Sequence, residues 1–131
     1  MDYKIVHSKA ASTTVEKHSE NQIKITRYYK NGKVKTEGVY NYMVDLGVGT
    51  LDLNKFDTKP DTKVGTHTWY HKNGKVFKSL NYTDGKEDDP DVKIYHSNGK
   101  VMEEGAIKMG RRVGAWKFYT KRGKLELTEE F

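Results

Sequence analysis

The sequence predicts an all-β chain, folded as an elongated, twisted antiparallel sheet of stacked β-hairpins. Three observations predict it. One eight-residue phrase occurs four times, as Arg27–Val34, Trp69–Val76, Ile94–Val101 and Phe118–Leu125, with Tyr, Gly and Lys at the same offsets in every copy. A bulky apolar residue follows each phrase at one fixed spacing: Tyr40, Tyr82, Ile107 and Phe131. In three copies the glycine follows Asn, and Asn-Gly between strand-forming residues is the strongest short-range hairpin signal, because glycine takes the positive φ of the turn without a Cβ clash. A hairpin alone is marginal in water, so recurring hairpins must stack for stability.

Two loops fit the phrase. A two-residue Asn73-Gly74 loop pairs His71 with Val76 and sends Tyr70 and Val76 to opposite faces. A three-residue Lys72-Asn73-Gly74 loop, a type I turn closed by a glycine bulge, pairs Tyr70 with Val76 and Trp69 with Phe77. The second gathers Tyr28, Tyr70, Tyr95 and Tyr119 on one face with Val34, Val76, Val101 and Leu125. It also suits Arg122 in the fourth copy, since arginine is a poor residue for the positive φ of a type I′ turn. The three-residue loop is therefore preferred.

At 131 residues the length fits one domain. With 34% hydrophobic and 32% charged residues, a thick central core is not expected, whereas a long sheet with one covered face suits the balance. Cysteine is absent, which excludes disulfides and thiolate metal sites. No leader-like or membrane-length apolar run is present, which points to a cytoplasmic chain. A net charge of +6 is compatible with acidic proteins, anionic lipid or nucleic acid as partners and selects none of them.

Along the chain, residues 1–22 form an N-terminal strand and connector: Tyr3 to Val6 could be an edge strand, and Ser8 to Ser19 is small and polar. The repeat domain spans 23–131. Its turn glycines, 32, 74, 99 and 123, are 42, 25 and 24 residues apart, so the first interval holds an insertion over 43–63. Such an insertion is a surface loop that could carry recognition, or a degenerate further hairpin. Asp84-Gly85-Lys86 and Met109-Gly110-Arg111 mark turns on the opposite rim, the first running into an acidic stretch that ends at Asp91 and the second into Arg112.

The phrase Tyr-x-x-Asn-Gly-Lys-Val/Leu in units of about 24 residues, with Gly-Lys or Gly-Arg turns leading to Gly-x-Trp, resembles the MORN-repeat variant; Gly114–Leu125 is the nearest stretch. Arrays of this variant in small bacterial proteins look like the YwqK-like antitoxin or immunity family. The resemblance covers Ile23 to Phe131 apart from the insertion. It implies a non-catalytic protein that binds and neutralises a cognate protein toxin or effector, with no cofactor and no small-molecule substrate.

Several residue groups are candidate sites. The tyrosine column is expected to be the stripe that packs neighbouring hairpins. Trp69, Ile94 and Phe118 then form a column on the alternate face, with Trp116 nearby, open to a protein partner as aromatic anchors. His71 and His96 share one repeat position and are counted with that surface. Two hairpins set those histidines about 9.5 Å apart, and His67 and His71 on one strand lie about 13 Å apart, which is long for a shared metal ion. The acidic stretch from Asp84 to Asp91 lacks the ligand alternation of a calcium loop and suits a solvated turn or a docking spot for a basic partner. Lys33, Lys75, Lys100 and Lys124, beside Lys30, Lys72, Lys121 and Arg122, should line one rim. That basic stripe is the alternative reading, a scaffold for anionic lipid or nucleic acid. No phosphate loop, activated nucleophile or meaningful carboxylate pair appears, so no catalytic residue is assigned.

Overall fold

Each copy of the phrase folds as a hairpin, and the hairpins lie side by side in one sheet. The computed structural model describes residues 13–19, 22–41 and 63–131. Its strands are β1 (Thr13–Ser19), β2 (Gln22–Tyr28), β3 (Val34–Asn41), β4 (Lys63–Tyr70), β5 (Val76–Thr83), β6 (Lys86–Glu87), β7 (Asp89–Tyr95), β8 (Val101–Lys108), β9 (Arg111–Tyr119) and β10 (Leu125–Glu130). They follow one another in chain order across an open antiparallel sheet, with the short β6 paired to β5 beside β7. No helix among the described residues is long and apolar enough to cross a membrane.

The three-residue turn forms as expected. In the second hairpin the Gly74 N–H donates to the His71 carbonyl at 2.9 Å, and the His71 N–H to the Lys75 carbonyl at 2.8 Å. Gly74 takes the left-handed φ of 91° that closes the turn. The four tyrosines face Val34, Val76, Val101 and Leu125, as the spacing predicts. The next pair does not follow the expectation. Trp69 lies opposite Lys78, not Phe77, because Phe77 is an extra residue in a bulge just beyond the turn. Lys35, Met102 and Glu126 occupy the same place in the other hairpins. A bulge repeated at each turn adds twist to every hairpin.

All of the buried large apolar side chains lie on one face. Ile25, Gly38, His67 and Leu80 form one row across adjacent strands, with Val15 at its start. The row continues through Val92 and Gly105 to Trp116. Large and small side chains interlock along it. The His67 ring lies over Gly38, and the Trp116 ring lies over Gly105, where a Cβ would sit 2.4 Å from the indole. The buried residues fall into two clusters, Val15, Ile23, Ile25 and Tyr40 at one end, and Leu80, Val92, Ile94, Ile107 and Trp116 at the other. His67 sits between them, its ring 4.9 Å from Tyr40 and 5.0 Å from Tyr82.

The opposite rim uses a different turn. Asp84-Gly85 and Met109-Gly110 all have positive φ, from 48° to 84°, which makes both loops two-residue type I′ turns. Their glycine N–H groups donate to the preceding hairpin, Gly85 to Lys63 at 3.0 Å and Gly110 to Glu87 at 2.7 Å. Within the acidic stretch, Asp89 is buried and accepts bonds from the backbone and side-chain amides of Asn81 and from the Asp91 N–H. That carboxylate fixes the step from β6 to β7 and is not solvated. At the N-terminal side, Thr13–Ser19 is a strand paired to β2, where the sequence suggested a connector. The candidate strand at Tyr3 to Val6 and the insertion up to residue 62 lie outside the described residues.

The contact between Gly105 and Trp116 gives a direct test of the packing. Gly105→Ala should lower stability by about 1–3 kcal/mol, because the fully buried indole has nowhere to retreat. Urea denaturation of the purified protein checks it. An unchanged midpoint would show that the ring does not cover the glycine.

Candidate protein-binding surfaces

The rim carrying the repeated phrase is held by side chains that reach from one turn to the next. From the second turn, His71 Nε2 donates to the Tyr95 carbonyl at 2.9 Å, Asn73 Nδ2 to Ser97 at 2.7 Å and Lys75 Nζ to Asn98 at 3.2 Å. The first turn makes the same set through Tyr29 to Tyr70 at 2.6 Å, Asn31 to Lys72 at 3.0 Å and Lys33 to Asn73 at 3.1 Å. The third makes it through His96 to Tyr119 at 2.9 Å, Asn98 to Lys121 at 2.7 Å and Lys100 to Arg122 at 3.1 Å. Each Asn also accepts the N–H of the Lys two residues on, so its amide braces its own turn while donating to the next. All of these contacts point from the earlier hairpin to the later one. The fourth turn lacks the set: Arg122 replaces Asn, and the Thr120 hydroxyl accepts from its own Lys124 N–H at 3.2 Å.

This clasp accounts for five residues that the sequence marked for ligands. His71 and His96 are half-buried and hold carbonyls of the next hairpin. Lys33, Lys75 and Lys100 each set an ammonium on a backbone carbonyl, and Lys124 has no such partner among the described residues. The rim stays cationic, since Lys30, Lys72, Lys121 and Arg122 are exposed beside them. The signal was in the phrase itself: a donor at position 29, 71 or 96, an amide two residues later and an ammonium two beyond that.

The aromatic column expected to meet a partner is the packing column. Trp116 is fully buried, its Nε1–H bonded to the Ala106 carbonyl at 3.0 Å and the Arg112 guanidinium 4.0 Å above its ring. Ile94 is buried beside it, so neither side chain is free to contact another molecule. Trp69 and Phe118 are half-buried against the same cluster. Lys78 lies 4.7 Å from the Trp69 ring centre and Lys63 5.9 Å. The alternation with tyrosine was read correctly, but the packing face is chosen by other positions. Ile25, Val92 and Trp116, and the bulky Tyr40, Tyr82 and Ile107, fall on the face of Trp69, and together they outweigh one row of tyrosines.

The opposite face carries the tyrosine row, half-exposed across four hairpins together with Val34, Val76 and Val101, while Leu125 at its end is exposed. Here Tyr70 donates to Glu37 at 2.5 Å, and Tyr119 hydrogen-bonds Glu104. Burial pushes the Tyr70 hydroxyl up to about 12, and the Glu37 carboxylate adds to the shift. These pairs tie one hairpin to the preceding one and keep the phenols neutral. Lys24 approaches Glu37 at 3.6 Å, so the row is bordered by mixed charge.

Burial pushes the His67 imidazole down to about 4, opposed by its bond to the Val39 carbonyl at 2.7 Å and assisted by nearby Lys63. The folded chain therefore holds His67 neutral at a pH where the unfolded chain, with a pKa near 6.5, takes up a proton. Its contribution to stability is full above that value and is lost as pH falls toward about 4. Between about pH 7.5 and about pH 5 the loss should be on the order of 2 kcal/mol. Urea midpoints across that range, compared with His67→Phe, check it; equal slopes for the two proteins would show that His67 does not couple to pH.

A family model for the MORN repeat variant matches residues 22–42, 63–84 and 91–108. No curated protein matches the chain. The matched segments are the hairpins β2–β3, β4–β5 and β7–β8, and these are the three whose turns donate the clasp. Three successive hairpins of the chain therefore match the MORN repeat variant, and the β9–β10 hairpin after them keeps their turn and its Lys, with Thr120 and Arg122 in place of the other two donors.

Proposed function

We propose that this chain is a non-catalytic protein-binding inhibitor of the antitoxin or immunity type, which neutralises a cognate protein effector by covering it. One observation carries the reading: the face that does not pack the sheet presents an uninterrupted tyrosine and aliphatic row. That row crosses four hairpins at about 9.5 Å each, long enough for one side of a standard protein interface. Tyrosine bordered by mixed charge is typical of protein contact surfaces. The paired Glu37 and Glu104 hold the rings in place, so a partner would meet a surface that is already ordered.

A second reading places anionic lipid or nucleic acid along the cationic rim. The exposed row of Lys30, Lys72, Lys121 and Arg122 favours it. These residues separate the two readings better than the clasp lysines, whose loss would also loosen the turns. Val76→Lys with Val101→Lys should abolish co-purification of the protein that the unmodified chain captures from its native host, and with it protection of growth against that protein. Reversing Lys30, Lys72, Lys121 and Arg122 to Glu should leave both intact. The opposite pattern, with salt-sensitive sedimentation on phosphatidylserine vesicles that the rim variants lose, would replace the first reading by the second.

A further inference from the structure

The outer edge of β10 is furnished differently from every interior strand. Phe131 exchanges both backbone bonds with Gly114, at 2.9 and 3.3 Å. By antiparallel alternation, the backbone groups of Thr128 and Glu130 then point away from β9. No strand among the described residues pairs with that edge. All six residues of β10 are exposed, and Leu125, Leu127 and Phe131 each leave about half of their surface in water. Glu126, Glu129 and Glu130 make no ion pair among the described residues, although the chain as a whole carries +6.

We infer that this edge is a strand-addition site for a protein partner presenting an extended segment of alternating apolar and basic residues. The inference rests on the protein-binding reading but not on the tyrosine row. On the packing face, β10 and the residue after it present Leu127, Glu129 and Phe131, in the order apolar, acidic, apolar. A partner strand with an apolar residue, Arg or Lys, and an apolar residue at alternate positions would extend the rows that run from Phe118 to Leu127 and from Gly114 to Phe131. Its charge would sit opposite Glu129. A further hairpin of the repeat type would meet a changed clasp at this edge, because Thr120 and Arg122 stand where the other turns have His or Tyr and Asn. A second copy pairing β10 with β10 would align six carboxylates along one seam.

The test uses the full chain and two synthetic seven-residue peptides, Thr-Val-Thr-Arg-Thr-Val-Thr and its Glu-for-Arg counterpart, followed by amide shifts in NMR. The Arg peptide should shift β9 and β10 amides and bind at least about tenfold more tightly than the Glu peptide. Thr128→Pro should weaken it by about tenfold, since the lost N–H points outward and the ladder to β9 is kept. Glu129→Lys should reverse the preference between the peptides. Absent shifts, shifts centred elsewhere, equal binding of the two peptides, or indifference to Thr128→Pro and Glu129→Lys would overturn the inference. So would sedimentation showing a dimer that Thr128→Pro dissociates, which would make the occupant a second copy. Failure on any of these counts leaves the tyrosine-row variants free to succeed or fail by themselves.

Discussion

The sheet depends on one directional interaction, the donation of side-chain N–H or O–H groups from each phrase turn to the carbonyls of the next. A two-stranded ribbon gains little by itself, and its turn carbonyls would otherwise face water. Here a His or Tyr, an Asn and a Lys from one hairpin occupy three carbonyls of its successor. Strand pairing supplies the ladder between hairpins, and the clasp fixes register at the rim where each ladder begins. Because one Asn both braces its own turn and donates onward, an error in one turn is felt by the hairpin after it. The fourth turn has Thr120 and Arg122 at two of the three donor positions, which separates the β9–β10 hairpin from the rest in chemistry though not in shape.

With the rim committed to holding the array, and one face committed to packing, the tyrosine face remains as the broad surface. The packing face gains depth without a second layer by laying rings over glycines. Trp116 over Gly105 and His67 over Gly38 each cover the neighbouring strand, while Leu80 next to Val92 fills the same space with two medium side chains. The apolar rows are thereby shielded on an open sheet. The same arrangement leaves the other face to residues that are half-exposed and hydrogen-bonded.

Much of this architecture was legible in the sequence because hairpins are local. The fixed offset between Tyr and Val/Leu gave their pairing, and Arg122 helped to decide the loop length. The bulge residue was not legible, since Lys35, Phe77, Met102 and Glu126 share no chemistry and a register shift leaves no mark on composition. The packing face was misjudged because aromatic residues were weighed one column at a time. Gly38 and Gly105, each matched to a large ring on the following strand, were the available clue. The clasp was missed for a related reason: a lysine after a turn glycine looks solvated until the next turn is placed beside it. Thr13–Ser19 looked like a connector because its polar residues hid the β propensity of its threonines and Val15. What the surfaces bind is a matter of sites, which the repeat alone does not specify.

Hairpins are coupled in sequence through donors at the rim. Native-state hydrogen exchange on Asn98→Ala tests it most directly, because Asn98 braces the third turn and donates to Lys121 in the fourth. Loss of the bond to Lys121, worth about 1 kcal/mol, should speed exchange of β9 and β10 amides about fivefold. Amides of β2 to β5 should keep their wild-type protection, since their clasps lie upstream. Equal acceleration in every strand, or none in β9 and β10, would contradict the coupling.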